Sequence, residues 1–200
     1  MAIARQEAVQ PILDMFATRL RAVLDRAMDD WLQTPNRGQF IYPRTGANII
    51  FDHIIRHALL EFNGDGDSTV KALREAQTVK FLFHNSVVAR FKKGNGRGIG
   101  SNIQTQAVLD YVDPQSSFGG LPDIHRVEIV YQLDILGTGF AEVAVVARDR
   151  KARIWAYPLN GLPSAEIIPL PTRTPPVLTP PAVTPKASPD QISGEDKKPE

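Results

Sequence analysis

The sequence predicts an α+β domain in which two N-terminal helices pack on an antiparallel sheet of about five strands. Apolar residues recur at spacings of three and four over the first third of the chain, which is the helical period. Beyond about residue 78, β-branched and aromatic runs alternate with polar residues, as is typical of strands. The links between the last three runs are too short for crossovers and predict an antiparallel meander, which gives the element order ααββαβββ.

The two helices are predicted over residues 10–33 and 47–62. Pro11 is acceptable only near a helix start, so the first helix begins close to it. A segment containing Pro35 and Gly38 ends the first helix, and the Gly- and Asp-rich residues 63–67 end the second. Residues 69–76 are predicted to add one short helical turn.

Five strands and one short helix are predicted in the rest of the domain. Residues 78–84 and 87–92 form a hairpin in which Phe91 faces the core, so that Arg90 and Lys92 point the opposite way. The short helix is predicted over residues 103–112. The three remaining strands are predicted over residues 126–133, 140–147 and 152–157.

Proline usage predicts where the folded domain ends. Most of the 16 prolines follow residue 157, where they recur every few positions. Such a sequence favours extended polyproline II conformations and lacks the apolar residues that a packed core requires. We therefore expect one domain over residues 1–161 and a disordered tail over residues 162–200.

Composition limits the classes of protein. The chain has no cysteine, which excludes disulfides and thiolate metal sites and favours an intracellular location. No apolar run approaches the length that spans a bilayer, and the N-terminal residues do not resemble a signal peptide. We expect a cytoplasmic protein with no membrane partner.

The local charge is more informative than the net charge of +1. No acidic residue occurs between Glu75 and Asp110, and a loop with four alternating glycines lies inside this basic stretch. Open backbone amides in such a loop, together with basic side chains, complement phosphate. The residues predicted to bind the phosphates of a nucleic acid or a nucleotide are Arg90, Lys92, Lys93, Arg97, Ser101 and Asn102. The spacing matches neither a P-loop nor a dinucleotide fingerprint, and the simpler alternative is a flexible loop with solvated charges.

A second basic cluster consists of Arg148, Arg150, Lys151 and Arg153. A charged β-turn is the simpler interpretation. If the cluster meets the glycine loop, the two form one phosphate-binding surface. Bases would then stack on an aromatic residue, for which the candidates are Phe91, Trp155 and Tyr157.

Metal and catalytic signals are weak. His53 and His57 have the i, i+4 spacing of paired metal ligands, but no third ligand is evident, so surface residues beside Glu61 are the simpler interpretation. Glu128 and Glu142 alternate with apolar residues, as on the solvent-facing side of a sheet. We expect no metal and no cofactor, and leave open whether the protein is an enzyme.

Two segments resemble a group of uncharacterised bacterial proteins. They are VARFKKGNGRGIGSNIQTQA, at residues 88–107, and HRVEIVYQLD with the later VAVVARD and RIWAYPL. Members of that group are encoded beside a regulator that combines a helix-turn-helix domain with a zinc-peptidase-like domain. The resemblance implies a toxin–antitoxin or phage-defence (antiviral) module, with this chain as effector and the regulator as its antitoxin partner. It implies no catalytic residue. The alternative is a non-enzymatic protein-interaction or inhibitor (antitoxin-like) module.

Overall fold

The computed structural model describes residues 3–62, 69–75, 78–101, 106–113 and 124–160, and it has the predicted α+β class. The described N-terminal elements are three α-helices and a 3-10 turn: α1 (Gln6–Asp14), α2 (Ala17–Gln33), the turn (Arg37–Gln39) and α3 (Pro43–Phe62). The described sheet has six strands, with α4 between the third and fourth: β1 (Val70–Glu75), β2 (Thr78–Phe83), β3 (Val87–Lys93), α4 (Gln106–Val112), β4 (His125–Leu133), β5 (Phe140–Asp149) and β6 (Ala152–Pro158).

The first predicted helix is divided in two at Phe16, which has φ −106° and ψ 1°. The break directs the Phe16 ring into the core, where its centroid lies 5.0 Å from that of Phe83 and 6.3 Å from that of Phe62. Both α1 and α2 are amphipathic with the same period, so the apolar pattern gave no sign of the break.

The sheet order is β1-β2-β3-β4-β5-β6, and two details differ from the prediction. First, β3 and β4 are parallel, because the connection through α4 is long enough to return the chain to the same end of the sheet. Second, residues 70–75 form an edge strand and not a helical turn. The ladder from Val70 opposite Phe83 to Glu75 opposite Thr78 outweighs the local helical preference of this segment.

One face of the sheet packs on the N-terminal helices, and we call it the helix face. The main buried side chains that the strands contribute here are Phe81, Phe83, Ala89, Phe91, Val127, Ile129, Tyr131, Val143 and Val145. Between α2 and α3, His57 Nε2 lies 2.5 Å and His53 Nδ1 3.7 Å from Asp30 Oδ2. The described polar partner of these histidines is thus Asp30 of α2, while Glu61 pairs with Arg19 and Arg26.

The opposite face is covered by α4 and the glycine loop, residues 94–101, and we call it the loop face. Tyr111 and Val112 of α4 pack on Leu82 and Val88. Ile99 of the loop packs on strand residues of β4 and β5, namely Val130, Ala144 and Val146. Because both faces are covered, the central strands β3 and β4 are almost completely buried.

The predicted tail lies outside the described residues, as do residues 102–105 at the predicted start of α4. None of the described helices combines the length and apolar content needed to cross a membrane.

Candidate nucleic-acid interface

The six predicted ligands do not form one continuous surface. Arg90 and Lys92 lie on the loop face, as strand alternation predicts. The same alternation places Lys93 on the opposite side of β3, where it lines a groove beside the helices. Arg97 and Ser101 are exposed in the loop, and Asn102 lies outside the described residues.

Arg90 is buried, with only 2 % of its surface exposed. Its Nη2 donates to Glu128 Oε1 at 2.6 Å, and its Nε donates to the same oxygen at 3.2 Å. The guanidinium carbon lies 3.9 Å from the centroid of the Tyr111 ring, which covers it. The expectation that Arg90 binds phosphate is therefore wrong for this structure, because its guanidinium is paired with a buried carboxylate and covered by an aromatic ring.

Glu128 is fully buried, so its interpretation as a solvent-facing residue is also wrong; Glu142 is exposed as expected. Burial alone would raise the pKa of Glu128, but Arg90, Arg148 and Lys92 together hold that pKa below its ordinary value of 4.5. Arg148 Nη1 lies 3.3 Å from Glu128 Oε2. The carboxylate thus stays ionised at neutral pH and serves as the counter-ion of the cluster.

Among the charged side chains of the loop face, Lys92 has the least opposite charge close to it. Burial lowers the pKa of its ammonium from 10.5 to about 8, and repulsion from Arg90 and Arg148 adds to this, while Glu128 opposes it. Within the described ranges, the Lys92 ammonium has no hydrogen bond or ion pair. An anion bound near this ammonium would supply the missing counter-charge.

Most backbone amides of the glycine loop are engaged within the protein and are not open to a ligand as predicted. Asn95 Oδ1 accepts from the N–H of Arg97 at 2.9 Å and from that of Ile99 at 3.4 Å. The N–H of Ser101 donates to Lys93 O at 2.7 Å. The N–H of Gly94 donates to Tyr131 O at 2.7 Å. The N–H of Asn95 donates to Ile99 O, and that of Gly98 donates to Asn95 O, both at 2.9 Å. Any phosphate at this loop must therefore be bound mainly by side chains.

The glycines instead allow the loop to lie against charged side chains. A Cβ on Gly100 would stand 2.6 Å from Glu128 Oε2 and 2.8 Å from Lys92 Cβ. Gly98 has φ +65°, and its Cβ would stand 2.9 Å from Arg153 Nη1. A larger residue at Gly100 would lift the loop from the sheet.

These contacts bring the second basic cluster to the loop. Arg148 Nη1 donates to Gly100 O at 3.2 Å, and the Arg153 guanidinium lies against Gly98. We define the basic rim as the four exposed cations of this surface: Arg97, Arg150, Lys151 and Arg153. Arg150 has one weak ion pair, with its Nη2 3.7 Å from Asp113 Oδ2, and its exposed side chain remains accessible.

The expected stacking residues do not reach the basic rim. Phe91 and Tyr157 are buried in the core of the helix face. Trp155 also packs on that face, and its Nε1 donates to Ala4 O at 2.6 Å. On the loop face, Tyr111 is buried, and its hydroxyl lies 2.7 Å from Val127 O and 3.0 Å from Val88 O. The predicted stacking residues are thus absent from the described part of the rim.

In the described part of the chain, no group of three or more His, Asp or Glu side chains has a geometry that could hold a metal ion. No protein family, no curated protein and no solved structure is matched by this chain. Function must therefore be inferred from the site itself.

Proposed function

We propose that the protein binds nucleic acid through the phosphate backbone at the basic rim, as the effector of a toxin–antitoxin or phage-defence module. The observation that carries the binding proposal is the contact of Arg148 and Arg153 with the glycine loop. This contact joins two basic segments that lie about fifty residues apart in the sequence into one surface.

The charge balance beneath the rim supports an anionic ligand. On the loop face, Glu128 is the described ion-pair partner of both Arg90 and Arg148, and the nearby Lys92 has no described ion pair. Lys92 bears most of this imbalance, since burial and its cationic neighbours lower its pKa. A phosphate near Lys92 and the rim would relieve the repulsion and would release counter-ions from the nucleic acid.

The lack of an aromatic platform in the described rim favours contacts to phosphates over contacts to bases. Phosphate contacts position a protein on nucleic acid but carry no direct sequence information. We therefore expect salt-dependent binding with little sequence preference. The role as effector comes from the resemblance of residues 88–107 and the later strands to proteins encoded beside a helix-turn-helix regulator.

Binding is tested with the full chain and labelled DNA and RNA duplexes and single strands, by fluorescence anisotropy over a series of salt concentrations. The double variant Arg97→Ala/Arg153→Ala should bind at least about tenfold more weakly. The slope of log K against log salt should fall by about 2, one for each phosphate that is no longer bound. Arg74→Ala removes an exposed cation from the edge strand β1 and should change neither value. Equal affinity of the double variant and wild type would overturn the site.

The effector role is tested by controlled expression with and without the neighbouring regulator. Expression alone should arrest growth, and the regulator should relieve the arrest. The double variant should abolish the arrest, while Arg74→Ala should retain it. Normal growth under every condition would contradict the effector role and would favour the non-enzymatic interaction module.

A further inference from the structure

A groove of about 570 Å³ lies where β3 and β4 end, beside the N-terminal helices. Its walls come from the 3-10 turn, the start of α3 and the loop between β4 and β5, residues 134–139. The volume is in the range of small-molecule sites. Lys93 and Gly94 line the groove, which therefore contains a predicted ligand that lies on the side of β3 opposite to Arg90 and Lys92.

Aromatic rings form one side of this groove. Trp31 and Phe40 stack with centroids 6.2 Å apart and planes inclined by 21°. A hydrogen bond to the loop between β4 and β5 also fixes the indole, since Trp31 Nε1 donates to Gly137 O at 3.1 Å. Tyr42 is 59 % exposed, and the Arg44 guanidinium carbon lies 5.1 Å from its ring centroid. The groove therefore presents a fixed indole and two accessible rings.

Two cations lie at the same groove, Arg37 and Lys93, and both are half-buried. Neither side chain has a hydrogen bond or an ion pair among the residues that the structure describes. Asp134 is the one carboxylate among the described lining residues, and it accepts from Thr138 N at 2.8 Å and Thr138 Oγ1 at 3.0 Å. Its oxygens are thus directed to its own turn, and the groove keeps a positive excess.

We infer that this groove binds a nucleotide, with the base against the rings of Phe40 and Tyr42 and the phosphate between Arg37 and Lys93. A base stacks on aromatic rings whatever its identity, and a phosphate supplies the counter-charge that the two cations lack. A purely apolar ligand would fill the groove but leave these half-buried cations uncompensated. The ligand is either a free nucleotide or the terminal nucleotide of a strand, because both present the same chemistry.

Trp31 provides a direct reporter, because the chain has only two tryptophans. In a Trp155→Phe background, Trp31 fluorescence is titrated with AMP, with adenosine, with inorganic phosphate and with a 5′-phosphorylated single-stranded oligonucleotide. AMP should quench the fluorescence saturably, and adenosine should bind at least about tenfold more weakly because it lacks the phosphate. Tighter binding of the oligonucleotide than of AMP identifies a strand end, and the reverse identifies a free nucleotide.

Variants separate this groove from the basic rim. Arg37→Ala and Lys93→Ala should each raise the Kd for AMP about tenfold. Tyr42→Ala should weaken the binding of AMP and the binding of adenosine to the same extent. Arg74→Ala and the rim variant Arg97→Ala/Arg153→Ala should leave quenching unchanged, so the groove is tested independently of the proposed function. Circular dichroism confirms that each variant is folded. The inference is overturned if neither AMP nor the oligonucleotide quenches Trp31, or if folded Arg37→Ala and Lys93→Ala bind AMP as wild type does.

Discussion

Arg90 and Glu128 lie directly opposite each other on the parallel strands β3 and β4, and their side chains form an ion pair at 2.6 Å that solvent does not reach. Removing two charges from water is costly, and the attraction between them offsets this cost only while both partners remain. Arg148 and the ring of Tyr111 complete the surroundings of the pair. The loop face is therefore organised around one carboxylate.

Glu128→Gln should lower the free energy of unfolding by about 3–5 kcal/mol at pH 7, because it leaves Arg90 buried without its counter-charge. Urea denaturation measures the change. Glu142→Gln, an exposed carboxylate on β5, is the matched control and should change stability by less than about 0.5 kcal/mol. The folded-state pKa of Glu128 is lowered, so its contribution is present above pH 4.5 and is lost as the pH falls below that value. Equal stability of the two variants would contradict the assigned role.

Lys92→Met should stabilise the protein at neutral pH. Its folded-state pKa of about 8 lies below the ordinary 10.5, so the charged form is disfavoured in the folded state. The resulting destabilisation is fully present below pH 8 and disappears as the pH rises towards 10.5. We expect the free energy of unfolding to rise by about 1–3 kcal/mol at pH 7, and this gain to shrink as the pH rises from 8 to 10.5. Denaturation curves at pH 7 and pH 10 measure it, and a gain independent of pH would show that packing, and not charge, is responsible.

Local pattern was sufficient to predict most elements of this fold. The strands β2 to β6 lie within a few residues of their predicted ranges, because alternation and β-branched runs are local properties of the sequence. The parallel pairing of β3 and β4 was not predictable in that way, since it depends on where the chain returns after α4. The burial of Arg90 follows from the same pairing, because its partner Glu128 is 38 residues away.

The candidate site was predicted in part. The basic loop and the second cluster were both identified, and their contact through Gly98 and Gly100 needed the folded chain. The prediction of open loop amides is wrong for most of them, because Asn95 and neighbouring carbonyls accept their hydrogen bonds, which composition does not reveal. Strand alternation does predict that Lys92 and Lys93 lie on opposite faces of the sheet, because consecutive side chains of a strand point in opposite directions.

Tyr111→Phe should destabilise the protein by about 1 kcal/mol, because the buried hydroxyl lies within hydrogen-bond distance of the carbonyls of Val88 and Val127. The ring that covers Arg90 is retained in this variant, so the ion pair should persist. Tyr111→Leu removes the cation–π contact as well and should cost more. Thermal unfolding compares the two variants, and a Tyr111→Leu protein as stable as Tyr111→Phe would show that the ring contributes nothing to Arg90.

Gly100→Ala should weaken nucleic-acid binding and lower stability by about 1–3 kcal/mol, the usual cost of overpacking. A methyl group there would stand 2.6 Å from Glu128 Oε2 and 2.8 Å from Lys92 Cβ, so the loop must move away from β3 and β4. That movement would break the Arg148 hydrogen bond to Gly100 O and separate the loop from the second basic cluster. Gly96→Ala is the matched control, since a methyl group at Gly96 would have no described atom within 4 Å, and this variant should bind as wild type does. If Gly100→Ala loses stability but binds duplexes with unchanged affinity and salt slope, the loop is a structural cover for the ion pair, and the phosphate contacts must come from the second cluster alone.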